Sequence, residues 1–228
     1  MKSSRRALAW GGLTAGVAVL SYPLFFRHKC LTWGARQDEV SLKLPGDELL
    51  PDAGLITTRA VTIAAPPDRV WPWLVQMGSG RGGAYTYDWI ENLLGLDMHS
   101  ADEVVPELQL LQLGDELPMG GDRLPMRVAI LDAERTFAIQ HTGGGWVWIF
   151  ALIPEDGATR LISRNRIRAT GLTPEARLAY RLVMEPGSLI MERKMLLGIK
   201  ARAERLARDQ AAAASLGTSV RDLRPAAE

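Results

Sequence analysis

Between Met126 and Ala169 four stretches of strand-like alternation follow one another: Met126 to Leu131, Thr136 to His141, Trp146 to Ile153 and Thr159 to Ala169. The breaks between them are Asp132 to Arg135, Gly143 to Gly145 and Pro154 to Gly157. They are too short for a parallel crossover, which takes a dozen residues or more, so the stretches must pair as an antiparallel meander. In the third stretch Trp146, Trp148 and Phe150 share one face while Val147, Ile149 and Ala151 share the other, making both faces apolar.

The elements around the meander complete an α+β pattern. Alternation from Thr57 to Ala64 puts Val61 and Ile63 on one face of a strand, which Pro66, Pro67 and Asp68 then stop. Val70, Leu74 and Met77 follow at helical spacing, with Pro72 required to lie in the first turn. A glycine-rich loop, Gly78 to Gly83, precedes a second short helix, Tyr85 to Leu94, for which Gly95 is the expected cap. Past the meander, Thr173, Pro174 and Glu175 form a helix start signal. A long helical region follows, with Pro186 and Gly187 expected to interrupt it and Leu196, Ile199, Ala203 and Leu206 carrying its apolar stripe. A curved antiparallel sheet with a long helix across it does not close tightly at both ends, and an apolar hollow between sheet and helix is the expected consequence.

The amino terminus is of a different kind. Lys2, Arg5 and Arg6 precede an uncharged run from Ala7 to Phe26, closed by Arg27, His28 and Lys29. At about 1.5 Å per residue such a run reaches roughly 30 Å as a helix, the thickness of the bilayer hydrocarbon core. Trp10, Tyr22, Phe25 and Phe26 sit where aromatic rings favour the interfaces. The expectation is an uncleaved, single-pass transmembrane helix in the cell membrane; a cleaved signal or a twin-arginine export peptide is the competing reading. Basic residues on both flanks leave the side of the globular domain open. The domain organisation is then an anchor at 1–29, a connector and lead-in at 30–56, a globular domain at 57–208 and a disordered tail at 209–228.

Composition narrows the function. With 47% hydrophobic and 23% charged residues and a net charge of +1, the chain has an ordinary globular make-up and no field for nucleic acid, which is not expected as a partner. Cys30 is the only cysteine, so there is neither an intrachain disulfide nor a Cys-rich zinc site. His28, His99 and His141 lack the spacing of a metal-binding helix, and no metal or cofactor is expected. Gly78, Gly80 and Gly83 satisfy G-x-G-x-x-G, but a helical segment rather than a buried strand precedes them, so an interhelical loop is preferred to a nucleotide site.

The stretch VWPWLVQMGSGRGGAYTYDWIENLLGLDMHSADEVVPELQ, Val70 to Gln109, together with GWVWIFAL, TRLISRNRIR and MLLGIKARAE, resembles the START/Bet v 1-like superfamily, often labelled SRPBCC or polyketide cyclase/dehydrase-like. The resemblance covers residues 35 to 208 and is similar to a bacterial subfamily that often carries a hydrophobic amino-terminal segment. It implies a helix-grip fold and a cavity for lipids, polyketides or other apolar small molecules. It implies no single chemistry, because carriers, sensors and enzymes share the scaffold.

Candidate site residues fall into four groups. Arg81, Tyr85, Asp88 and Trp89 gather polar handles and aromatic bodies beside the glycine loop, suited either to orienting an apolar ligand or to local caps and core. Tyr85, Asp88 and Trp89 share a face if they lie on one helix. His99, near Asp97, Asp102 and Glu103, is a candidate proton-transfer group with Tyr85 and Asp88, or else a plain loop residue. Trp146, Trp148 and Phe150 either line the hollow or pack as core. Arg164 and Arg166, with Arg168, share a strand face: inward they would hold an anionic headgroup, outward they would be solvated. Met184, Met191 and Met195 bring adaptable side chains to the final helix, Met191 and Met195 being expected at the ligand. The first functional expectation is therefore membrane-tethered binding of a hydrophobic small molecule or lipid. The alternatives are a cyclase- or dehydrase-like enzyme using the same cavity, and an anchored interaction module whose interior is filled by side chains.

Overall fold

In a computed structural model of the chain, which describes residues 26–120, 125–169, 171 and 173–222, six strands form one curved sheet. These are β1 (Leu55–Ile63), β2 (Glu116–Pro118), β3 (Pro125–Asp132), β4 (Thr136–His141), β5 (Trp146–Glu155) and β6 (Ala158–Ile167). Their order is β1-β6-β5-β4-β3-β2, and every neighbouring pair is antiparallel. The meander is the expected one. β2 is an additional short edge strand, and a register shift between Val128 and Ile130 bends β3.

Alternation decides which side chains face inward. Val61, Ile63, Phe137, Ile139, Phe150, Leu152 and Leu161 meet Leu196, Ile199 and Ala203 from the carboxy-terminal helix in one core. Helix α3 (Pro67–Val75) adds Val70, Trp73 and Leu74 to it. Each fully buried side chain of this kind stabilises the fold by about 1.5–3 kcal/mol relative to exposure. Pro72 lies well inside α3, not in its first turn; Pro67 occupies the first helical position instead, and the helix ends one turn after Pro72.

The outer face of the sheet is covered as well. Residues 30–56, expected as a connector, contribute helices α1 (Arg27–Leu31) and α2 (Gln37–Ser41) and a 3-10 turn at Asp47–Leu49. Leu44 and Leu50 from this lead-in pack on Ala138, Val147, Ile149, Ala151 and Ile162, the outward residues of the central strands. A strand apolar on both faces needs cover on both, and the lead-in supplies the second layer.

Helix α4 spans Asp88–Leu93, shorter than expected, and Gly95 follows it at φ +76° with its amide donated to Asn92 O. The final helical region starts as expected at Thr173, whose side chain accepts from Ala176 N, and forms α5 (Pro174–Ala179). Pro186 does not interrupt it. The chain widens into a π-helical stretch at Tyr180–Met184 and continues as α6 (Glu185–Asp222). A proline lacks an N–H and crowds the carbonyl four residues back, and the wider turn directly before it absorbs both defects. The helix also outlasts its expected end near Arg208, reaching Asp222 instead of giving way to a tail. Ala211 to Ala214 are strong helix formers that need no apolar stripe to stay helical. The expected membrane span at 7–26 lies outside the described residues except for Phe26; among the described residues no helix is long and apolar enough to cross a membrane.

Candidate functional site

A hollow of about 440 Å³ opens between the inner sheet face, the α4 region and the first turns of α6. That volume falls in the range of small-molecule sites. Five of the chain's eight methionines line it: Met98, Met119, Met184, Met191 and Met195. Trp146 and Trp148 form its aromatic wall, their rings stacked 5.9 Å apart. Thioethers on flexible stems let such a wall adapt to the shape of its occupant.

One end of the hollow is polar and internally bonded. The inward face of β1 carries Thr57 and Arg59, and that of β6 carries Ser163 and Asn165. Glu192 of α6 descends onto them. It pairs with Arg59 Nη1, accepts from Ser163 Oγ at 2.7 Å and accepts from Asn165 Nδ2 at 3.2 Å. The two indoles join the same network, Trp148 Nε1 donating to Ser163 Oγ and Trp146 Nε1 to Asn165 Oδ1, each at 2.8 Å. Burial pushes the Glu192 carboxyl above the usual carboxylate range, against the opposing pull of the Arg59 charge and the Ser163 hydroxyl. Arg59, fully buried, also donates Nε and Nη2 to Cys30 O and reaches Ser188 O and Oγ. The network thus ties α1, β1, β6 and α6 together while orienting both tryptophans.

The other end is built by α4 and the loops beside it, where Ala84, Thr86, Glu91 and Met98 reach the hollow. Glu91 is 7% exposed. Burial pushes its carboxyl up and the nearby Asp88 charge adds to that, while the Thr86 hydroxyl opposes. Met98 is delivered there by two clamps from α4. Asn92 exchanges hydrogen bonds with the Met98 backbone at 2.7 and 2.9 Å, and Asp88 accepts from Ser100 N at 2.8 Å and Oγ at 2.6 Å.

The structure therefore separates the sequence candidates. Trp146, Trp148, Met191 and Met195 line the hollow. Phe150 does not; it is fully buried in the core, stacked on Phe137. Tyr85 lies outside α4 at φ +59°, so it shares no helix face with Asp88 and Trp89. It is buried, its hydroxyl donating to Trp73 O at 3.0 Å, and Arg202 covers its ring at 4.9 Å. Desolvation drives its phenol further up, away from proton exchange near neutrality. Arg81 is likewise internal, its guanidinium donating to the carbonyls of Met77, Val75 and Leu108. Asp88 is occupied with Ser100, and Trp89 is 69% exposed on the surface. His99 stands out in solvent 3.3 Å from Asp97, away from the hollow. The proton-transfer candidates Tyr85, Asp88 and His99 thus all lie outside it.

Arg164 and Arg166 take neither expected position. They point away from the hollow yet are buried, because the lead-in covers them: Arg164 donates to Asp47, Thr58 Oγ1 and the carbonyls of Leu42 and Glu39, and Arg166 to Asp47 and Leu50 O. Burial lowers the Arg164 pKa, with the Asp47 charge opposing. The glycine loop is closed on itself. Every backbone N–H from Gly78 to Gly83 is donated to a carbonyl of this chain, so none is left for a pyrophosphate.

Arg59, Glu91, Glu192, Ser163 and Asn165 were not singled out from the sequence. Two signals could have found the charged pair. Arg59 keeps the inward register of Val61 and Ile63, and Glu192 extends the stripe of Leu196, Ile199 and Ala203 backwards by one turn. A charge on an otherwise apolar face requires a partner.

Inward sheet face, clasping helix and the hollow between them define this chain as an α+β domain of the helix-grip class. No family model matches it, and no curated protein does. Among solved structures the chain is similar to the Polyketide_cyc-like protein Cgl2372 from Corynebacterium glutamicum, at 14% identity over 64% of this chain and 88% of that one, with a TM-score of 0.39. It is also similar to the KanY protein (ms6282), at 13% identity over 66% and 97%, with a TM-score of 0.41. The SSP2350 protein from Staphylococcus saprophyticus aligns at 13% identity over 66% and 92%, with a TM-score of 0.42.

Proposed function

We propose that the protein is a membrane-tethered binding protein that holds a hydrophobic small molecule or lipid in the hollow between its sheet and carboxy-terminal helix. The observation that carries this reading is the hollow itself: about 440 Å³, walled by methionine and tryptophan and lying between a sheet and a helix whose cores meet firmly elsewhere. The tether supports it by position. The uncharged run that ends at Phe26 leads straight into Arg27, whose guanidinium grips the Glu185 carboxylate at 2.8–3.2 Å. Glu185 lines the hollow, and a smaller hollow bearing Arg27, Arg177 and Arg181 shares Leu55, Tyr180 and Glu185 with it. Met184, which lines the larger hollow, is exposed. An anchor at 7–26 would therefore hold the opening next to a bilayer, with cations toward the headgroups.

The test is extraction of the purified full-length chain followed by mass spectrometry of what copurifies. The expected result is an apolar molecule in near-stoichiometric amount from the wild type and markedly less from Trp148→Ala. Recovery of none from the wild type, with methionine methyl resonances indifferent to added apolar compounds, would overturn the reading.

A further inference from the structure

Five side-chain polar atoms among the described residues are buried without a hydrogen-bond partner, and three of them, Thr57 Oγ1, Thr86 Oγ1 and Glu91 Oε2, belong to residues that line the hollow. Buried polar atoms are nearly always paired, so orphans concentrated on one hollow mark where an occupant bonds. The two other orphans, on Asp68 and Trp73, lie on residues that do not line it.

The sign of these groups limits the occupant. All three orphans are oxygens able to accept a hydrogen bond. The N–H groups beside them are engaged: Arg59, the one cation lining the hollow among the described residues, donates to Glu192, Cys30 and Ser188, and both indoles donate to β6. Arg164 and Arg166, which could have held an anionic headgroup, are bound beneath the lead-in on the opposite side of the sheet. A carboxylate or phosphate entering the hollow would meet three carboxyls, Glu91, Glu185 and Glu192, and, among the described residues, no lining cation that is not already paired. An alcohol or amine would meet an orphaned carboxyl oxygen flanked by an orphaned hydroxyl. The upward push of burial on Glu91 agrees with a site that is incomplete without such a partner.

We propose that the occupant is an apolar molecule with a hydrogen-bond-donating polar end, an alcohol or amine and not an acid or phosphate, and that Glu91 with Thr86 receives that end. This rests on the binding function proposed above and specifies its ligand class. The measurement uses the full-length chain in phospholipid nanodiscs with 13C-methyl-labelled methionine, since five of the eight methionines report on the hollow. Four probes are titrated and compared at equal bilayer mole fraction: decan-1-ol, decylamine, decyl methyl ether and decanoate.

The expected result is that decan-1-ol and decylamine shift the resonances of Met98, Met191 and Met195 at concentrations about tenfold or more below decyl methyl ether, which lacks the donated proton, and decanoate. Glu91→Leu should erase that preference and Thr86→Val reduce it. Both variants should keep wild-type resonances for the ligand-free core, because each replaces a buried polar side chain by an apolar one of similar size and leaves no charge behind. Decanoate binding most tightly, or alcohol and ether binding alike, would overturn the ligand class while leaving a binding hollow in place. A preference that survives Glu91→Leu would remove Glu91 from the site. No shift with any probe would fell the binding function itself.

Discussion

Replacing Arg59 with methionine isolates the interaction on which the polar end of the hollow depends. Arg59 is 0% and Glu192 6% exposed, so truncation leaves a carboxylate buried with only Ser163 and Asn165 as donors. The carbonyls of Cys30 and Ser188 lose their guanidinium partner at the same time. Breaking one side of a buried pair costs about 3–5 kcal/mol, whereas replacing both partners by apolar groups is often close to neutral. Arg59→Met alone should therefore lower stability by about that amount, a fall of roughly 1–2 M in the urea midpoint. Adding Glu192→Met should recover about 2–3 kcal/mol of it. Urea unfolding followed by near-ultraviolet circular dichroism reports both the midpoint and the setting of Trp146 and Trp148, whose indoles bond through Ser163 and Asn165 to the same carboxylate. Burial already favours the neutral form of Glu192, and the Arg59 charge opposes it. Without Arg59 the carboxyl protonates more readily, so the cost of the single substitution should shrink as pH falls. A cost below about 1 kcal/mol at neutral pH, or a double variant no better than the single, would refute the argument that the pair is the keystone of this network.

Three further outcomes follow from the packing. Burial pushes the Glu39 carboxyl up, but its bonds to Arg160 and the Arg36 amide, with the Arg160 charge, outweigh that and hold it below the usual carboxylate range. A depressed folded-state pKa adds stability that is present above the unfolded value and lost as pH falls through the folded one; the gap between wild type and Glu39→Gln in thermal unfolding should thus be widest near neutrality and close in acid. Phe150→Ala should cost about 3–5 kcal/mol in denaturant unfolding, as expected of a filled core position and not of a hollow wall. Gly198→Ala would place a Cβ 2.6 Å from Tyr85 O, forcing α6 and the loop that carries Tyr85 apart; a loss of about 1–3 kcal/mol is expected, and an unchanged melting temperature would contradict the observed close approach.

Much of the site was readable without coordinates, but unevenly. The tryptophans of β5 and the methionines of α6 stood out because bulky residues repeat at the period of their element. Arg81, Tyr85 and Asp88 stood out for the same chemical reason, polar groups set among aromatics, and proved to hold loops in place. The sequence could not separate the two cases, because a hydrogen bond to a backbone carbonyl leaves no mark in residue spacing. Glu91 carries no mark in the sequence, because nothing in the spacing of its α4 neighbours shows how deeply that carboxyl is buried.

Periodicity and turn chemistry determined the meander, the helix start at Thr173 and the face on which each strand residue lies, because these depend on neighbours within a few positions. What covers each face was decided only by tertiary structure. Spacing put Arg164, Arg166 and Arg168 on one strand face without saying which; that the face of Arg164 is the outward one, and that it meets Asp47 and the Leu42 carbonyl instead of water, depends on where residues 30–56 settle. Arg59 and Glu192 are 133 residues apart in sequence, and their pairing exists only because α6 crosses β1. The hollow has the same origin: it is a space left where helix and sheet diverge, set by the path of the backbone and spelled out in no local run of residues.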